Sequence, residues 1–167
     1  MRCLVLMSLL LILLGCGCQT QDDFDWDYVQ EKVSEQWPFP SGKWKATGCR
    51  RFYVGQPGDP HFARSGVAVG YANVIKDGRL EMEFKLYVAE GRKVEDPTPP
   101  FRFEIDVDGL TSEPVSVETA GSGVEVKVSA STNANGKKVY CVEFSRGDER
   151  AEVRLNADGG IPFGSHE

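Results

Sequence analysis

Residues 67–88 read VAVGYANVIKDGRLEMEFKLYV, and this stretch decides the fold. Val67, Val69, Tyr71 and Asn73 share one parity on the way to Lys76. Beyond Asp77-Gly78, Leu80, Met82, Phe84, Leu86 and Val88 alternate with mostly charged residues. Successive side chains of a strand point to opposite faces, so each run presents one apolar face. Asp-Gly between two alternating runs is the strongest short-range hairpin signal.

The same pattern extends in both directions. Upstream, Trp44, Ala46 and Gly48 alternate with Lys43, Lys45 and Thr47, and Phe52-Tyr53-Val54 continues the strand. Downstream, Phe101, Phe103, Ile105 and Val107 alternate with Arg102, Glu104, Asp106 and Asp108. Val115 to Thr119 and Val124 to Ala130 flank Gly121-Ser122-Gly123. Asn133 to Gly136 precedes Val139 to Phe144, and Arg146-Gly147-Asp148 precedes Ala151 to Leu155. About seven to nine short strands with frequent turn residues predict a mostly β chain, an antiparallel β-sandwich or partly open barrel.

One N-terminal α-helix is expected over 24–36, where Trp26, Val29, Val33 and Trp37 form an apolar stripe suited to packing on the sheet. Asp22 or Asp23 can cap it, Asp25 and Asp27 favour its positive end, and Pro38 and Pro40 end it. Residues 24–156 then make a single domain, and 157–167, with Gly159-Gly160 and Pro162, a loose tail.

The chain begins Met1-Arg2, followed by an apolar run from Cys3 to Leu14 broken by Ser8. A short charged start, an apolar run of about a dozen residues and small residues at its end describe an export signal, too short to span a bilayer. Leu13-Leu14-Gly15-Cys16 resembles the lipobox of bacterial lipoproteins, with an aliphatic residue three before the cysteine and a small one directly before it. The resemblance implies removal of residues 1–15, a diacylglycerol thioether on Cys16 and a lipidated tether over 16–23. Gly17, where aspartate would signal inner-membrane retention, implies the outer membrane in an organism with two.

With 19 basic and 25 acidic side chains the chain carries a net charge of −6, and loss of Arg2 with the signal makes the mature chain more acidic. That balance opposes nucleic acid as a partner, since phosphate backbones need clustered Lys and Arg. Lys43/Lys45 and Arg50-Arg51, the densest positive segments, read as solvated strand edges.

Cys3 leaves with the signal, Cys16 takes lipid and Cys18 lies beside it, so Cys49 and Cys141 are expected to pair in an oxidising compartment. Such a bridge closes about 93 residues and contributes about 4–5 kcal/mol in the chain-entropy model. Strict alternation puts neither cysteine on the more apolar face of its strand, which points to a strand end or to the underside of the helix. With no Cys-x-x-Cys pair and His61 far from His166, no zinc site and no cofactor are expected.

Two long loops, 55–66 and 89–100, supply candidate ligand-binding residues: His61, Phe62, Arg64, Arg92 and Lys93. Glu104, Asp106 and Asp108 form a carboxylate row that could hold calcium, although alternation alone places them on the solvent face. Trp26, Trp37 and Trp44 could stack sugars but fit core positions better, and Arg146-Gly147-Asp148 has the residues a turn requires. No nucleophile elbow is present and only His61 lies in the ordered region, so an enzyme is not the expected class. The expectation is a membrane-anchored, non-enzymatic binding module for a protein or cell-wall glycan of the envelope. The alternatives are a carboxylate-based hydrolase and a small exported inhibitor of a host enzyme.

Overall fold

The computed structural model describes residues 25–35, 43–56, 58–59, 62–90, 93–95 and 98–162. The expected export signal, Cys16, Cys18, Trp37, His61, Arg92 and His166 lie outside these residues. The elements are α1 (Trp26–Glu35), β1 (Ala46–Val54), β2 (Ala63–Lys76), β3 (Arg79–Glu90), β4 (Lys93–Glu95), β5 (Phe101–Asp106), β6 (Val115–Val117), β7 (Glu125–Thr132), β8 (Lys138–Arg146) and β9 (Glu149–Asn156).

All nine strands join one antiparallel sheet in the order β4-β3-β2-β1-β9-β8-β7-β6, with β5 also on β3. The predicted hairpin forms: Lys76 pairs with Arg79, and Asp77 and Gly78 take φ of 51° and 72°, as a turn with two left-handed central residues demands. The sheet does not close into a barrel, since β5 pairs only with β3 and β6 only with β7. It curls until its two halves face each other over one core. Val69, Tyr71, Leu80, Met82 and Phe84 on one side meet Val126, Val142, Phe144, Val153 and Leu155 on the other. The Phe84 and Phe144 rings meet edge to face with centroids 5.1 Å apart.

A second, smaller cluster sits on the outer face of the first half. There α1 lays Val29 and Val33, both 0% exposed, over Cys49, Ala68, Tyr87 and Ala89, with Trp26 and Val94 at its rim. The stripe thus packs on the sheet. The cap is Asp25, whose Oδ1 accepts the Tyr28 amide at 3.0 Å; Asp22 and Asp23 lie outside the described residues.

Three expectations change. Residues 157–161 are tied down, not loose: the Gly159 carbonyl accepts from buried Asn73 Nδ2 at 2.7 Å, and Ile161 packs on the core. The two expected loops are shorter, because β2 begins at Ala63, β3 runs to Glu90 and β4 occupies Lys93–Glu95. Gly66, expected to end the first loop, lies within β2, where a Cβ would stand 2.5 Å from the Ala89 carbonyl oxygen. Only a residue without a side chain lets these backbones approach so closely.

The third change concerns Cys49 and Cys141, which are free thiols. Cys49 does lie beneath the helix, as alternation suggested. Cys141, however, pairs with Arg154 of β9, and β9 separates β8 from β1. Two inter-strand spacings of about 4.8 Å exceed the roughly 7 Å limit for a bridge. Alternation reports faces but not how many strands lie between them.

Candidate functional site

The end of β1 is where the two halves of the sheet join. Tyr53 pairs with Arg64 of β2 and, on its other side, with Arg150 of β9. Residues directly opposite in antiparallel strands share a face, so two arginines flank one tyrosine on the outer face. The β1–β2 register shifts between Arg51 and Tyr53, and Arg51 Nε donates to the Ser65 carbonyl at 2.9 Å across this irregularity. Phe52 beside it turns inward and is 0% exposed, which leaves Tyr53 outward.

Phe62, immediately before β2, completes the group. Its ring lies 5.4 Å from that of Tyr53, tilted by 40°. Both rings are half-buried and both arginines exposed. Neighbouring charges are already matched: Glu149 accepts from Arg146 Nε at 3.2 Å, and Glu152 accepts from Arg154. No ion pair to Arg64 or Arg150 forms among the described residues. Toward β8 the face becomes acidic, with Glu152 paired directly to Glu143. Burial first, then the Glu152 and Glu143 charges, push the Tyr53 hydroxyl up from its ordinary value, so it stays a neutral donor.

The structure therefore brings Phe62 and Arg64 together with Tyr53 and Arg150, two residues that sequence reading passed over. Lys93 stands apart on β4, paired with Glu95. Of the carboxylate row, Glu104 is engaged by Arg79 and Arg102, and Asp106 accepts the Asp108 amide at 2.9 Å. Among the described residues no group of three or more His, Cys, Asp or Glu could hold a metal ion. Trp26 packs into the cluster beneath α1, whereas Trp44 precedes β1 with the Lys43 ammonium 4.7 Å from its ring centroid.

A groove of about 410 Å³ lies where β5 and the β6–β7 turn approach, lined by Pro100, Phe101, Arg102, Glu118, Thr119 and Ala120. It holds one carboxylate, Glu118, where glycosidic hydrolysis by paired carboxylates requires two. Comparison with protein-family models, curated proteins and solved structures yields no match.

The buried thiols report on stability. Desolvation pushes Cys49 up from 9.0 to about 12, so the fold favours its neutral form. That contribution is complete below about pH 9 and is lost as pH rises toward 12, at about 1.4 kcal/mol per pH unit. Between pH 8 and 10.5 the wild-type protein is expected to lose about 2 kcal/mol more than Cys49→Ala in urea unfolding. Equal losses would show that Cys49 ionises freely in the folded state.

Proposed function

We propose that the chain is an exported lipoprotein, anchored through Cys16 to the membrane, that works as a non-enzymatic binding module for an envelope component close to the membrane. The observation that carries this reading is the Leu13-Leu14-Gly15-Cys16 sequence at the end of a short apolar run. No helix among the described residues is long and apolar enough to cross a membrane, and the lipobox resemblance assigns attachment to the lipid. One acyl chain holds a protein only marginally and two or more hold it stably. In an organism with two membranes, Gly17 favours the outer one.

The binding role draws support from the outer face, where two guanidinium groups without an ion pair among the described residues flank an aromatic pair. Such groups recognise ligands through planar, forked hydrogen bonds and ring stacking. The experiment is mass spectrometry of the mature N-terminal peptide together with fractionation of a Cys16→Ser variant. Acylated Cys16 is expected in the wild type, with the variant released or mislocalised and Cys18→Ser unaffected. An unacylated Cys16 in wild-type protein ends the lipoprotein reading.

A further inference from the structure

We propose that the outer face around Tyr53 binds a carboxylate-bearing glycan, with a sugar ring resting on Tyr53 and Phe62 and its acid group held between Arg64 and Arg150. The inference deepens the binding role proposed above by naming the ligand chemistry and the residues. It rests on that reading only for the class of partner.

Charge complementarity is the first argument. Arg64 and Arg150 are each one strand away from Tyr53, so their backbones stand roughly 10 Å apart, twice the inter-strand spacing. Two side chains of that length can converge on one carboxylate or grip two successive ones. In a chain of net charge −6 they are two exposed cations without an ion pair among the described residues. The remaining acidic charge is screened beyond about 8 Å at physiological salt, so an anionic ligand meets the local charge of this face.

The second argument separates a glycan from an acidic protein segment. A protein partner of ordinary size needs an apolar centre to its interface, and the large apolar residues exposed among the described residues are Val88 and Val115. Val88 is on β3 and Val115 on β6, both away from Tyr53. What surrounds Tyr53 instead is mixed charge, with Arg64 and Arg150 at the strand end and, further along, Glu143 and the Glu152–Arg154 ion pair. Of these two carboxylates Glu143 has no ion pair among the described residues, and it would repel a polyacidic peptide. A sugar carries both complements: its acid accepts from arginine and its hydroxyls donate to glutamate. The half-buried aromatic pair offers a flat apolar surface for the ring between them.

The test uses full-length mature protein in detergent and bead-immobilised polygalacturonate, whose carboxylates lie on the sugar rings, left intact or amidated with carbodiimide and ammonia. Co-sedimentation is expected with the intact beads and is expected to fall at least tenfold after amidation. Arg64→Gln/Arg150→Gln and Tyr53→Leu should each weaken binding to the intact beads by a similar factor, and added salt should weaken the wild type. Because the arginines are exposed, an unchanged urea midpoint verifies folding of the double variant. Equal binding to intact and amidated beads, full binding by the double variant, or no binding at all would overturn the inference. Retention on immobilised polyglutamate as strong as on glycan would also overturn it, by identifying an acidic protein segment as the ligand. Acylation of Cys16 is read separately by mass, so loss of the site and loss of the lipoprotein reading remain distinguishable.

Discussion

Phe84→Ala is expected to lower the unfolding free energy by about 3–5 kcal/mol. Phe84 is 0% exposed and stands where the two halves of the sheet meet. Its ring lies 5.5 Å from that of Phe101, 6.4 Å from Phe103 and 5.1 Å from Phe144. Truncation removes the apolar surface of the ring and leaves a cavity that neighbours on rigid strands fill only in part. Phe84→Leu keeps part of that volume and should cost less. Urea unfolding at neutral pH measures both, and an alanine cost below about 1 kcal/mol would mean that the halves are not held together through this ring.

Val33→Asp is expected to free α1 from the sheet while leaving the β core folded. A carboxylate kept at that position, now 0% exposed, would be buried without a cation, which is more costly than releasing the helix. Release loses the burial of Val29 and Val33, about 1.5–3 kcal/mol each, and a ten-residue helix does not persist alone in water. Cys49 is then uncovered. Its thiol, held up to about 12 by burial, returns toward its ordinary range, and the thiolate fraction at pH 8 rises by up to about a thousandfold. Iodoacetamide labelling of Cys49, followed by mass spectrometry, reads this directly. Unchanged labelling, or unfolding of the whole domain at the same urea concentration as helix release, would show that α1 and the sheet form one cooperative unit.

The parts of the fold legible in the sequence are those set by local chemistry. Asp77-Gly78 and Gly147-Asp148 announce their hairpins because Asp77, Gly78 and Gly147 take left-handed backbone that few residue types tolerate, and period-two alternation identifies core positions such as Phe84, Met82 and Val142. Curling of the sheet has no such signature. Arg150 comes to Tyr53 through the β1–β9 pairing, which depends on how the two halves fold back on each other, and no spacing in the chain foretells it. The loop boundary at Gly66 moved for a related reason: a glycine marks a loop end and a close backbone approach with the same letter. Phe62 and Arg64 stood out for their residue types, yet Arg64 sits on a strand, where its direction is set by the register. The Cys49 and Cys141 pairing failed because β9 lies between their strands.

The β1–β9 joint also governs how the chain reaches this fold. Its register consists of Tyr53 with Arg150 and Val54 with Glu149, whereas β2–β3 and β8–β9 pair along nearly their full lengths around two-residue turns. The hairpins are sequence-local and form on the order of microseconds. The joint requires closure of the chain from Tyr53 to Arg150, well over half of the domain, an entropic cost that must be met before the shared core rewards it. Refolding is expected to build the two meanders before β9 closes against the last two residues of β1. Until that clasp closes, each meander is an open sheet with unpaired edges, and the time spent there sets the chain's exposure to misassembly.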